Sequence, residues 1–123
     1  TRGLAEITRI GVALGAEPET FLGLAGMGDL LLTCTGDLSR NRRVGLGLGQ
    51  GRKLDEIVAE LGEVAEGVRT THAACRLAQS LGVDAPIANQ VRMVLDGEKS
   101  PEEAGQSLMT RQLKSERDQT RAR

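Results

Sequence analysis

Aromatic residues are almost missing from this chain: Phe21 is the only one in 123 residues, with no Trp and no Tyr. That absence removes the stacking platforms on which single-stranded nucleic acid is bound. It also leaves the core to Leu, Ile, Val, Ala and Met, which suits close-packed helices better than a sheet. An excess charge is missing too, since 16 Lys and Arg face 17 Asp and Glu. No overall positive field exists to hold a polyanion, so no nucleic-acid partner is expected. No apolar run approaches the roughly 18 residues of a membrane span, and no basic-then-apolar leader opens the chain. A soluble, cytoplasmic protein without a membrane span is expected. The two cysteines, Cys34 and Cys75, lie far apart in neither a metal-ligand nor a redox spacing. They read as reduced thiols, and no metal site is expected. The one histidine, His72, has no partner in the sequence and reads as a surface residue. Met27, Met93 and Met109 read as core filler.

What is present is helical periodicity with its punctuation. Leu4, Ile7, Ile10 or Gly11, and Leu14 recur at three- and four-residue steps before Gly15, so Thr1 starts the chain within a helix. "EPETF" opens a second helix at Pro18, which runs to a break at Gly26-Met27-Gly28, and Asp29 then caps or opens Leu30-Leu31-Leu32. Ser39 is an N-cap for a helix from Arg40 to about Gly47. Further helices carry Leu54, Ile57, Val58 and Leu61 up to Gly62, then Val68 to Leu81 before Gly82, then Ile87 to Leu95 between Pro86 and Gly97. "SPEE" supplies Ser100 as cap, Pro101 at the first position and Glu103 as capping-box partner of the last helix. About seven helices, short connections and no alternating strand predict an all-α, compact multi-helix domain over 1–113, with a polar, frayed tail over 114–123.

The stretch "TCTGDLSRNRRVGLGLGQG" is the most informative. Its glycines give G-x-G-x-G-x-G at the end of a helix, whereas a dinucleotide fingerprint needs G-x-G-x-x-G at the turn from a strand into a helix. They read instead as tight helix packing at Gly45 and chain reversal at Gly49-Gln50-Gly51. Arg40, Asn41, Arg42 and Arg43 stand directly behind the Ser39 cap. Unbonded first-turn amides, the positive dipole end, a guanidinium and a carboxamide can converge there on one phosphate-sized anion. A solvated basic face is the alternative, but basic residues at a helix N-terminus oppose the macrodipole, which suggests that they serve a ligand.

"GMGDLLLTCTGDLSRNRRVGLGLGQG", followed by "EVAEGVRTTHAACRLAQSLGVDAPI", closely resembles the C-terminal domain of bacterial NAD(P)-dependent glycerol-3-phosphate dehydrogenases. The likeness runs from "TRGLAEITRIGVALGA" to about Leu113. It implies a helical fold like the C-terminal domain of 6-phosphogluconate dehydrogenase relatives. The reaction it implies is reversible hydride transfer between NAD or NADP and dihydroxyacetone phosphate, giving sn-glycerol 3-phosphate for phospholipid synthesis. By the same resemblance Asp29, Thr33, Ser39, Arg40 and Asn41 bind substrate, and Arg40, Val64 and Glu66 touch the cofactor. Asp29 would stand near the family's catalytic lysine and orient its ammonium; read from residues alone, it could be an N-cap. Thr33, one helical turn on, could offer a hydroxyl, or back-bond within its helix.

The family's N-terminal Rossmann domain and lysine have no counterpart in these 123 residues, so no catalytic residue is assigned, and the chain alone is expected to be an inactive, substrate-binding fragment. The implied partners are the substrate, the Rossmann domain of the same protein and a homodimer mate. The rival readings are a non-catalytic helical docking or dimerisation module, and a nucleic-acid patch at Arg40 to Arg43, which would lose affinity steeply with salt.

Overall fold

Apolar residues at three- and four-residue steps close into helices along the whole computed structural model, which describes residues 1–36, 39–62 and 66–111. In order these are α1 (Arg2–Ala13), α2 (Pro18–Leu22), a π turn (Leu24–Gly28), α3 (Asp29–Thr35), α4 (Arg40–Gly49), α5 (Leu54–Leu61), α6 (Glu66–Ser80), α7 (Pro86–Leu95) and α8 (Pro101–Met109). No strand occurs among the described residues. The expected tail, 114–123, lies outside them.

Local signals account for most boundaries. Pro18, Pro86 and Pro101 each sit in a first turn, where a missing N–H removes no intrahelical bond. Ser100 and Glu103 form the full capping box, Oγ accepting from Glu103 N at 3.2 Å and Oε2 from Ser100 N at 2.8 Å. Helix α5 stops at Gly62 with φ 68°, a left-handed position that favours glycine.

Three local expectations need correction. Gly26-Met27-Gly28 is no break: the chain stays helical through a π turn and enters α3 directly. Gly26 permits this because any Cβ there would collide with the Phe21 carbonyl. Of the two roles open to Asp29, it opens α3 and does not cap it, since its own backbone is helical (φ −64°, ψ −43°) and no side-chain cap bond forms at the start of that helix. The tightly packed glycine of α4 is Gly47, not Gly45. A Cβ on Gly47 would lie 2.6 Å from Ile57 Cδ1, whereas one on Gly45 would meet nothing within 4 Å. Met27 and Met109 are not core filler, being 52% and 78% exposed.

The core is thin and lies toward the C-terminal side. Val44 of α4 and Ile57 of α5 form its centre, with Leu48, Leu54, Leu61 and Val68 packed around them. Small buried residues, Ala78, Ala85 and Ala104, let α6, α7 and α8 approach one another. Phe21, the lone aromatic, lies against Gly11 and so ties α2 to α1.

Polar ties carry the long-range joins. Glu6, only 4% exposed, accepts from Ile87 N (2.9 Å) and Ala88 N (2.8 Å), so α1 caps the N-terminus of α7 with a carboxylate. Arg9 donates to the Asp84 carbonyl at 3.1 Å, and Arg111 is paired with the Asp84 carboxylate. Lys99 bridges Gln90 and Ser107, each at 3.1 Å, and so fastens α7 to α8.

Candidate functional site

The start of α4 is built as its sequence requires. Ser39 keeps an extended backbone (φ −67°, ψ 115°) and its Oγ accepts from Arg42 N at 3.3 Å. With that cap in place, the first-turn amides lie at the positive end of the helix dipole. Arg40 and Asn41 are exposed there, and Arg42 is half-buried.

Asn41 supplies the join that no local pattern contains. Its Oδ1 accepts from the backbone N–H of Gly67 at 3.2 Å, in the first turn of α6. Gly67 makes the contact feasible, because a Cβ there would stand 2.7 Å from Asn41 Cγ and 3.1 Å from its Nδ2. Two helix N-termini, those of α4 and α6, are therefore held side by side, and their dipoles point the same sign of partial charge toward one region. Glu66, the first residue of α6, is exposed at this junction. Gly67 is the site residue that sequence reasoning missed; its place inside "EGVRTT" carried no signal of a side chain 26 residues earlier. Val64 lies outside the described residues.

Asp29 and Thr33 stand on α3, which packs against α4. Asp29 is exposed and Thr33 half-buried one turn later. Four threonines of the other helix turns, Thr8, Thr35, Thr71 and Thr110, fold their hydroxyls onto the carbonyl four residues back. Thr33 makes no such bond, which leaves its hydroxyl to other partners. Among the described residues no hydrogen bond joins Asp29 or Thr33 to Ser39, Asn41 or Glu66. The structure thus brings Ser39, Arg40, Asn41 and Glu66 to one junction, and sets Asp29 and Thr33 on the adjoining helix.

A second polar cluster was not anticipated. His72 Nε2 lies 2.7 Å from Asp96 Oδ1 and Nδ1 lies 3.0 Å from the Val68 carbonyl. Arg92 donates to Asp96 at 2.6 Å and to Glu98 at 2.8 Å. The Asp96 hydrogen bond, then the Val68 carbonyl, holds the His72 imidazole above its ordinary pKa, and Asp96 is correspondingly lowered. Both nitrogens face acceptors, so the doubly protonated ring satisfies the geometry fully. Beside it a cleft of about 530 Å³ between α6 and α7 is lined by His72, Cys75, Arg76, Gln79, Asn89 and Arg92. Burial pushes the Cys75 thiol up, which makes it a poor nucleophile. His72 is a satisfied surface group, as expected, but its partner sits 24 residues away. Among the described residues no group of three His, Cys, Asp or Glu could hold a metal ion, and no helix is long and apolar enough to cross a membrane.

Comparison with known proteins places this geometry in context. The family model described as the C-terminus of NAD-dependent glycerol-3-phosphate dehydrogenase matches residues 1–106. The glycerol-3-phosphate dehydrogenase (NAD(P)+) of Citrifermentans bemidjiense is 63% identical over 116 residues, 94% of this chain and 35% of the relative. That of Janthinobacterium sp. is 62% identical over the same shares. The 2.1 Å crystal structure of glycerol-3-phosphate dehydrogenase from Coxiella burnetii superposes with a TM-score of 0.86 at 42% identity, covering 89% of this chain and 34% of that one. The chain spans about a third of the length of the relatives it matches.

Proposed function

The chain belongs to the family formed by the C-terminus of NAD-dependent glycerol-3-phosphate dehydrogenase, and from that premise we propose that it is the substrate-binding part of a cytoplasmic oxidoreductase. The reaction is the reversible, NAD(P)H-dependent reduction of dihydroxyacetone phosphate to sn-glycerol 3-phosphate. The Asn41–Gly67 bond carries this reading, because it gathers two helix N-termini beside an arginine at one junction.

In this reading the substrate phosphate sits at the start of α4. The first-turn amides and the Arg40 guanidinium take its oxygens, and the guanidinium does so in a bidentate fashion. The Asn41 carboxamide oxygen is committed to Gly67, so its NH2 is the end turned to the phosphate. Ser39 positions this group by capping the helix that carries it. Thr33 offers its hydroxyl to the glycerol part, and Asp29 holds a cation near the carbonyl that gains or loses a proton. The cofactor's nicotinamide supplies or accepts the hydride. This chain's contribution to holding it is a rim: the exposed Glu66 carboxylate suits ribose hydroxyls, and Arg40 at the start of α4 offers a guanidinium. The Rossmann part and the lysine implied by the resemblance complete the enzyme, so the 123-residue chain binds substrate without turning it over.

Calorimetric titration of the chain with sn-glycerol 3-phosphate tests this. Asn41→Ala and Gly67→Ala, the latter by displacing the Asn41 side chain, are each expected to weaken binding about tenfold, or about 1.4 kcal/mol. Equal affinity in all three proteins would refute the phosphate seat, as would tighter binding of a DNA duplex with a steep salt dependence.

A further inference from the structure

The cleft between α6 and α7 is separate from the phosphate seat: none of Ser39, Arg40, Asn41, Glu66 or Gly67 lines it. Its volume of about 530 Å³ lies within the range of small-molecule sites. The floor explains the space. Ala78, Val83 and Ala85 form it, and Ala78 and Ala85 are only 2% and 1% exposed, so short side chains stand where longer ones would fill the gap between the helices. The walls are polar, with Arg76 and Gln79 on α6 and Asn89 and Arg92 on α7. Arg76, Gln79 and Asn89 are exposed, which leaves the entrance open to water.

Charge decides what the cleft can hold. His72 and Arg92 are matched by Asp96 and Glu98. Asp84, which also lines the cleft, is paired with Arg111, and Glu6, whose charge is felt at the Cys75 thiol, has Arg9 at 3.9 Å. Arg76 is left over, for it makes no hydrogen bond or ion pair among the described residues, and neither do the side chains of Gln79 and Asn89. The cleft therefore offers one unmatched positive charge, two uncommitted carboxamides and an apolar floor. A guanidinium takes a carboxylate through two parallel bonds. One positive charge neutralises a monoanion, whereas a phosphate dianion would be left half compensated. Each carboxamide both donates and accepts, which suits a hydroxyl or carbonyl group beside the carboxylate. We propose that this cleft binds a small organic monocarboxylate, its carboxylate on Arg76, a hydroxyl or carbonyl substituent on Gln79 and Asn89, and an aliphatic body over Ala78, Val83 and Ala85.

The probe is 2-hydroxyhexanoate, titrated into the isotope-labelled 123-residue chain and followed by the side-chain NH2 signals of Gln79 and Asn89 in heteronuclear NMR spectra. Saturable shifts of both signals are expected. Hexane-1,2-diol, in which an alcohol replaces the carboxylate, is expected to bind at least tenfold more weakly. Arg76→Gln, a change on an exposed side chain, is expected to weaken 2-hydroxyhexanoate by a similar factor while leaving the helical circular dichroism unchanged. The absence of saturable shifts overturns the proposal, and so does equal affinity for the diol or in Arg76→Gln. Inorganic phosphate that moves the same signals at an equal or lower concentration overturns it too, and assigns the cleft to phosphates. Should Arg76→Gln fail to fold, the comparison with the diol still decides. Glycerol phosphate at the start of α4 would be read at Asn41 and Gly67, so this proposal and the phosphate seat fail separately.

Discussion

Two glycines of α4, two residues apart, are expected to respond to the same substitution with opposite signs. In Gly45→Ala the new methyl enters open space, so only the backbone term acts; an exposed helical Gly→Ala gains about 0.5–1 kcal/mol. In Gly47→Ala the same gain applies, but the methyl would stand 2.6 Å from Ile57 Cδ1 and 2.9 Å from Cγ1. Ile57 is 3% exposed and packed among Leu54, Leu61 and Val68, so it cannot swing away freely. Overpacking a filled core costs about 1–3 kcal/mol. The propensity term cancels between the two variants, so the difference between them isolates the collision at about 1–3 kcal/mol. For a chain of this size that is a gap of roughly 3–12 °C in Tm, with Gly45→Ala above the parent and Gly47→Ala below it. With no Trp or Tyr to report, urea and thermal melts are followed by far-ultraviolet circular dichroism. If both variants stabilise by the same amount, α4 and α5 do not meet at Gly47 and the account of the core is wrong.

Two further perturbations address the long-range ties. Glu6→Ala orphans the Ile87 and Ala88 amides and removes the clasp between α1 and α7, so a loss of about 2–4 kcal/mol is expected in urea melts; Glu6→Gln, which keeps one acceptor, should lose about half as much, and a neutral Glu6→Ala would discount the clasp. The His72–Asp96 contact should make stability pH-dependent. Because folding raises the His72 pKa, its contribution is fully present below the unfolded value near 6.5 and fades as pH rises through the higher folded value. Asp96, lowered chiefly by His72 and then by Arg92, contributes above its unfolded pKa and fades in acid. Arg76 and Arg92 are the cations that face the pair. Urea midpoints of the parent should therefore fall between pH 6 and pH 8.5 more than those of His72→Gln, and parallel curves for the two proteins would show that the contact is not stabilising.

Much of the helical plan was legible because its causes are local. Pro at a first turn, Ser39 and Ser100 as caps, and Gly62 after the last periodic residue act on backbone groups within four residues, so they can be read off the chain. The phosphate-seat hypothesis at Ser39 to Asn41 was legible for the same reason: a cap, a dipole and a guanidinium all belong to one helix start. The misreadings arose where a residue's meaning depends on a distant neighbour. Gly45 and Gly47 look alike in sequence, and only Ile57 distinguishes them. Met27 and Met109 look like core filler, and only the lack of packed neighbours among the described residues leaves them exposed.

By itself, then, the sequence determined the all-α class, the order of the helices and where most of them start and stop, since hydrogen bonding along a helix, caps and glycine turns are settled within a few residues. The tertiary structure alone decided that Glu6 caps a helix 81 residues on, that Asn41 reaches Gly67, and that His72 finds Asp96. Such pairings depend on how whole helices pack against one another, and no periodicity along the chain encodes which side chain will face which backbone amide across the gap.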